Sequence, residues 1–493
     1  MIVSLLIIGL FLLLTLWLGI SARKGKDMDL EQWAVGGRGF GTIFVFVLLA
    51  GETYTTFTFL GGSGAAYGTG GPALFILVYG SLANIIGYWV LPRIWKYAKE
   101  KQLVSQPDYF VSKYNSKGLG LLVTVVSVAA LIPYLVMQFK GLGIIVSEAS
   151  YGAISPTVSV WVSMVTLVIY VMISGIHSSA RTAVIKDIMI LGIVLFLGIY
   201  LPIHYYGGFQ DMFQGIESAK PGFLMLDSEG NSPSWFISTV VLLSLGFYMY
   251  PHTFSSLYSS KSAHALRKNV SIMPLYALVI VFVFFVGFAA ILQVPGLKGE
   301  NVDLALFRLS LQTFDPWVIG LIGAAGLLTA LVPGSMMLMA TSTLIAKNIY
   351  KVFAHSADDQ KVSKVARSLV PFVGLAAVWF TLYGTSTIAS LIIVGSSLIT
   401  QLTPSVLLAL PKRPILTAQG SFSGIVTGVI IVSYLTLTGT TIGSLFPSLP
   451  QVVKDINIGL IALIINVIVS LSVSFIQKAA MAKTKTKKTY GVS

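Results

Sequence analysis

No cysteine occurs anywhere in the 493 residues. That absence excludes disulfides, thiolate metal ligands, iron–sulfur clusters and thiol nucleophiles together, and it leaves the redox compartment unmarked. Charge is scarce as well: Asp, Glu, Lys and Arg make up 10% of the chain, against roughly 25% in an ordinary soluble domain. With 55% of residues hydrophobic, a water-facing surface of this length cannot be built, so the chain is expected to lie in a membrane. The G-x-x-x-x-G-K-[ST] phosphate loop is missing, which excludes an ATP-driven pump of that class. Gly36-Gly37-Arg38-Gly39-Phe40-Gly41 is glycine-rich but follows no strand and lacks the spacing of a dinucleotide fingerprint. His177, His204, His252, His264 and His355 show no zinc-ligand spacing. A membrane hydrolase or transferase would cluster carboxylates or histidines in its spans. Only Glu52, Asp187, Lys140 and His252 are available, scattered over four helices, so no catalytic residue and no cofactor is expected.

What is present is a series of apolar runs, each near the ~20 residues a helix needs to cross the hydrocarbon core. Thirteen spans are expected, near 2–21, 40–66, 73–92, 119–147, 156–174, 183–202, 235–259, 272–293, 316–345, 369–384, 388–409, 422–440 and 458–477. The first lacks a small-residue cleavage site and is read as a retained helix. With the N-terminus outside and the C-terminus in the cytoplasm, 27 of the 32 Lys and Arg fall on the cytoplasmic side, as the positive-inside rule requires. The net charge of +14 is therefore a topology signal rather than a sign of nucleic-acid binding. Lys483, Lys485, Lys487 and Lys488 form a basic cytoplasmic tail within 478–493, placed to touch anionic lipid.

Spans two and seven are not plain apolar helices. One carries Gly51-Glu52-Thr53-Tyr54-Thr55-Thr56 before Phe57-Thr58-Phe59-Leu60-Gly61-Gly62-Ser63-Gly64, and the other carries Gly246-Phe247-Tyr248-Met249-Tyr250-Pro251-His252-Thr253. Both invite a break, and they lie five spans apart. They thus open two five-helix blocks, 40–202 and 235–409, of which the second must insert upside down because five is odd. The first helix, 2–21, and the last two, within 422–477, are peripheral. Matching broken helices in inverted repeats point to a secondary transporter with its site at the breaks. Alternatively, the glycines only let helices pack closely and Pro251 only kinks its helix. Ionisable groups inside a membrane are costly and default to function, which singles out Glu52 and His252. Lys140 and Glu148 are read as interfacial, and Lys186 with Asp187 as a gate pair or a plain interfacial pair at the start of span six.

Several short runs resemble the sodium:solute symporter family from about residue 30 to 410. They are Phe59-Leu60-Gly61-Gly62-Ser63-Gly64 with Tyr67-Gly68, Ser174-Gly175, Ser259-Ser260-Lys261 and Asn348-Ile349-Tyr350-Lys351. Pro133-Tyr134 with Gln138, Tyr250-Pro251-His252-Thr253, Ala330-Leu331-Val332-Pro333 and Gln401 with Pro404 are similar to its monocarboxylate permease branch. The resemblance implies an all-α polytopic membrane protein of about thirteen helices with a LeuT-like inverted five-plus-five core. It also implies a sodium site between spans two and nine, on the backbone carbonyls of Gly51, Tyr54 and Thr329. The family's two hydroxyl ligands fall on Val332 and Pro333, a departure that takes two oxygens from the ion. Pro333 has no N–H, so it frees the carbonyl of Thr329 four residues earlier. A remodelled sodium site completed by the Thr329 or Ser335 hydroxyl and proton coupling through Glu52 both stay open. A second departure is Thr182-Ala183-Val184-Ile185-Lys186, where the family has Thr-Asp-x-x-Gln.

Substrate positions implied by the resemblance are Thr53 and Thr58, while Tyr248, Tyr250 and His252 line the second break and Gln138 and Gln401 come from other core helices. Hydroxyl and amide donors with an exposed helix N-terminus suit a small carboxylate; a small neutral solute stays open. The expected function is import of a small organic solute, a monocarboxylate foremost, driven by Na+ or H+ as the coupling cation, in the plasma membrane. An uncoupled channel and a membrane-embedded enzyme are the rival classes.

Overall fold

The computed structural model describes residues 1–23, 29–354 and 358–490, except the side chains of Arg23, Glu52, Ser174 and residues 483–490. Among the described residues every regular element is helical, and the single β-bridge joins Phe40 to Ser260. Eleven helices are long and apolar enough to cross a bilayer, and twelve when the bent pair Pro233–Met249 and Pro251–Ser259 counts as one span. The remaining expected span, the second, is divided into Thr42–Thr53, a π-helical turn Phe57–Gly61 and Gly62–Thr69.

Helix Pro316–Ile345, the ninth span, is the axis of the molecule. It is buried on all sides from Ile319 to Leu344 save at Leu321, as expected of a helix apolar all round. It packs against the first, fourth, sixth and tenth spans. Small residues permit this approach. A Cβ on Gly320 would stand 2.9 Å from Ile7 Cβ and 3.0 Å from the Ser4 backbone, and one on Gly323 would stand 2.5 Å from Ile8 Cδ1. The first-span helix, Ile2–Arg23, is held there by Ser4 Oγ donating to the Ala149 carbonyl at 2.8 Å.

The last two spans, Ala418–Thr438 and Ile458–Tyr490, pack on each other through Gly420 and Gly424, which meet Ser474 and Ser470. Between spans six and seven, helix Phe209–Ala219 lies with Met212 and Ile216 buried. After span eight, a turn Gly299–Leu304 and helix Ala305–Thr313 fold back over the core.

The sixth span differs most from expectation. Its helix runs Ile176–Tyr206, seven residues earlier than the apolar run suggested. At 1.5 Å per residue this moves Lys186 about 10 Å further into the helix. The polar first turns are helical because their hydroxyls find partners within the protein: Ser178 Oγ donates to the Gly175 carbonyl, Ser179 pairs with Ser335 Oγ at 2.7 Å, and Thr182 accepts from Tyr170.

Gly320→Val should lower the melting temperature of the purified protein in detergent, through an overpacking cost of about 1–3 kcal/mol. Gly9→Val, where an added Cβ meets nothing within 4 Å, should leave it unchanged.

Candidate functional site

Both expected breaks are present, each for a local reason. Tyr54 ends the first half of span two at φ −106°, ψ 89°. Threonine hydroxyls then take over from the helical ladder. The Thr55 N–H donates to Thr58 Oγ1 at 3.0 Å, the Phe57 N–H donates to Thr55 Oγ1 at 3.1 Å, and Thr58 Oγ1 donates back to the Thr55 carbonyl. Short hydroxyl side chains compete with helix in this way. In span seven Tyr250 is extended at φ −72°, ψ 141°, the conformation favoured before proline, and Pro251 opens the second half at a bend of 53°.

The fourth-span helix, Lys117–Ala149, passes between the breaks. Thr56 Oγ1 of span two donates to Gln138 Oε1 at 2.7 Å, while Gln138 Nε2 is buried with no hydrogen-bond partner. One turn earlier, Tyr134 meets the Tyr250 ring at 5.1 Å and the His252 ring at 5.6 Å. Tyr250 shares a 3.2 Å hydrogen bond with Ser396 of span eleven. Tyr79, Tyr134, Phe247, Tyr250 and Ser396 are among the residues that enclose a cavity of about 10 Å³, room for about one water. The centre is thus closed around donors and aromatic rings.

Of the residues expected to bind substrate, Gln138, Tyr250 and His252 lie on or against the fourth-span helix between the breaks, Thr58 is buried within the break of span two, bonded to Thr55, and Thr53 is buried one residue before that break. Tyr248 turns away, donating to Asn84 Oδ1 at 2.7 Å. Gln401 is committed elsewhere: its amide donates to the Ser397 and Gly459 carbonyls, and Asn466 donates to its backbone carbonyl and to Oε1. It fastens the last span to span eleven, a role as polar as ligand binding and indistinguishable from it in sequence. The Glu52 side chain lies outside the described residues.

Of the carbonyls expected to hold the cation, that of Tyr54 is met by a lysine. Lys186 is fully buried, and its Nζ donates to the Tyr54 carbonyl at 3.2 Å and pairs with Asp187 Oδ1 at 2.8 Å. A Cβ on Gly51 would stand 3.9 Å from this Nζ and 3.7 Å from Val332 Cγ1. Val332 packs with Val47 and Ala183 in a small apolar cluster joining spans two, six and nine. The helix passes through Pro333 uninterrupted. Thr329 Oγ1 donates to the Gly326 carbonyl and Ser335 Oγ to the Val332 carbonyl, each at 2.6 Å, so both hydroxyls serve their own helix. Among the described residues no three His, Asp or Glu converge to hold a metal.

Comparison with known proteins agrees with this architecture. The model of the sodium:solute symporter family matches residues 33–428. The chain belongs to the sodium:solute symporter family. The uncharacterized symporter YhjB of Bacillus subtilis (strain 168) is 61% identical over 97% of this chain and 98% of its own length. A monocarboxylate transport permease protein of Rhizobium johnstonii is 28% identical over 74% of each chain, and a sodium/proline symporter of Staphylococcus aureus (strain bovine RF122 / ET3-1) is 24% identical over 87% and 84%. In fold the chain matches a Na+-coupled sialic acid symporter, with a TM-score of 0.77 at 16% identity, covering 96% of this chain and 97% of that one. It also matches Mhp1, a nucleobase-cation-symport-1 family transporter, with a TM-score of 0.58 at 10% identity, covering 91% and 94%. The molecule is a LeuT-fold, cation-coupled solute symporter and not an enzyme.

The symporter carries a second charged assembly that sequence reading missed, at the face opposite the basic connections. Lys140, expected at the interface, reaches Glu300 at 3.0 Å, Asp303 at 3.5 Å and the Ser386 carbonyl at 2.8 Å. Asp303 Oδ2 accepts from the Ile388 N–H at 2.9 Å. Span four, the turn after span eight and the start of span eleven are thereby tied together. Glycines of the family-like run receive them: a Cβ on Gly64 would stand 2.9 Å from Asp303 Oδ1, and one on Gly61 2.6 Å from Ile388 Cγ2. Glu148 pairs with Arg308 at 2.9 Å beside this assembly.

Burial pushes the Asp303 carboxyl up to about 6, against the pull of Lys140 and the Ile388 N–H. Its folded-state value exceeds the ordinary 3.8, so the folded protein gains stability as pH falls through about 6 toward 3.8 and loses it above, by up to about 3 kcal/mol. Asp303→Asn should flatten the melting temperature over that interval, measured in detergent at fixed ionic strength.

Proposed function

We propose that this symporter imports a small monocarboxylate together with a cation by alternating access, with its basic face in the cytoplasm. The observation that carries the reading is the buried, unpartnered Gln138 Nε2 at the level of both helix breaks. A buried donor left without a partner costs about 1–3 kcal/mol, a cost that a bound acceptor removes. The small cavity beside Tyr134 and Tyr250 is enclosed by hydroxyl-bearing and aromatic side chains, and among the described residues no carboxylate lines it. That chemistry favours an anion with a short apolar body. The resemblance to a monocarboxylate permease over three quarters of the chain supports the same class.

The test is accumulation of labelled pyruvate or acetate in proteoliposomes under an imposed ion gradient. Accumulation above equilibrium is expected; equilibration without accumulation would indicate a channel. Gln138→Leu should lower uptake at subsaturating substrate by about ten- to a hundredfold, the range for losing one hydrogen bond to a charged group, while Tyr248→Phe should leave it nearly unchanged.

Orientation is open to direct measurement because the chain has no cysteine. A membrane-impermeant maleimide applied to intact cells should label Thr385→Cys and not His264→Cys, both exposed positions. The opposite pattern would invert the proposed topology.

A further inference from the structure

We propose a second ligand site, outside the transport centre, for a small zwitterion: an α-amino acid with an apolar side chain. It is a cavity of about 470 Å³ at the face opposite the basic connections. That volume falls within the ~300–1,000 Å³ usual for small-molecule sites and far exceeds the roughly 30 Å³ that one water takes. Its walls come from spans seven, eleven, twelve and thirteen and the connections that join them.

The walls are pinned to one another. Asp455, in the connection between spans twelve and thirteen, accepts through Oδ1 from the Gly230 N–H at 3.2 Å and from Gln451 Nε2 at 2.8 Å. The loop before span seven and the short helix Gln451–Lys454 are thus fixed to one carboxylate. The Asn457 N–H donates to Ser238 Oγ at 2.9 Å, and Asn457 Nδ2 donates to Thr239 Oγ1 at 3.0 Å, which fastens the start of span thirteen to span seven. A site held in this way loses little freedom when it is filled.

Opposite charges line the cavity without meeting. Asp455 Oδ2 is buried and has no hydrogen-bond partner. Among the described residues the Lys454 ammonium makes no hydrogen bond or ion pair, and its stem lies over Gly443, where a Cβ would stand 3.4 Å from Lys454 Cδ. A buried acceptor left unsatisfied costs about 1–3 kcal/mol, and more when it is charged. A free cation drawn to Asp455 would be repelled by the lysine, and a free anion drawn to Lys454 by the aspartate. A molecule that carries both an ammonium and a carboxylate satisfies the two together. Trp235, Ile393, Val394 and Ile442 line the same cavity, and they suit an aliphatic side chain.

This cavity and the enclosed centre share a helix and no described residue. Ser397 of span eleven lines the cavity, while Ser396, one residue earlier, bonds Tyr250 at the centre. Successive helical residues point about 100° apart, so the two lie on different sides of span eleven.

The test is melting of the purified full chain in detergent against rising L-leucine. A saturable rise in melting temperature is expected in wild type and in Gln138→Leu, which alters the centre alone. Asp455→Asn and Lys454→Gln should each raise the half-saturating concentration about ten- to a hundredfold, the range for losing a hydrogen bond to a charged group. In Gln138→Leu, 4-methylvalerate and isopentylamine, which keep the leucine body with one charge each, should give no rise at the same concentrations. Lys454 is only half-buried, so Lys454→Gln decides the matter even where Asp455→Asn fails to fold. The proposal is overturned by no saturable rise in wild type, by unchanged half-saturation in Lys454→Gln, by an equal response to either singly charged analogue, or by a rise lost in Gln138→Leu. None of these outcomes depends on whether the centre carries a monocarboxylate.

Discussion

A backbone group set free inside a bilayer must be answered by the protein, because lipid offers nothing to bond to. The architecture depends on that constraint at two points. At the break in span two, amides are answered by Thr55 and Thr58, and the Tyr54 carbonyl by Lys186. At the break in span seven, Pro251 removes one amide altogether and starts a new helix. Each break is then a place where half a helix can tilt without breaking further hydrogen bonds, which is the motion an alternating-access carrier needs. The surrounding helices do not share this freedom. Helix Pro316–Ile345 is continuous through its proline and buried on nearly every side.

Closure at the acidic face is built from contacts that can part. The turn bearing Asp303 rests on Gly64, and Ile388 rests on Gly61. Lys140 completes the closure through three oxygens. Interfaces between packed elements behave as discrete alternatives rather than deforming continuously, and a lysine with several acceptors can exchange them for water one at a time. The glycine-rich run thus does what the simpler of its two readings implied, while the break itself lies just before it, at the threonines. The break and the close packing expected of that segment thus fall on different residues.

Much of this was legible in the sequence because its causes are local. Apolar length places a span, and a proline or a threonine cluster interrupts it. What escaped was non-local. The first turns of span six look like a loop, since His177-Ser178-Ser179 and Arg181-Thr182 are polar; they are helical because Ser335 and Tyr170, remote in sequence or on another helix, complete their hydrogen bonds. Shifting that boundary turns Lys186 from an interfacial charge into a fully buried one. Gln401 and Tyr248 are the converse case. A polar side chain in an apolar span satisfies a neighbouring helix as readily as a ligand, and only the partner, Asn466 or Asn84, distinguishes the two.

The scarcity of charge gives these placements their meaning. A buried lysine beside a buried aspartate is costly to desolvate, and such a pair adds little stability over apolar side chains of similar size. Lys186 and Asp187 are therefore poorly explained as structural glue, all the more because Val47, Ala183 and Val332 already pack the same junction. The Tyr54 carbonyl, at the break in span two, accepts from the Lys186 ammonium and offsets part of its desolvation.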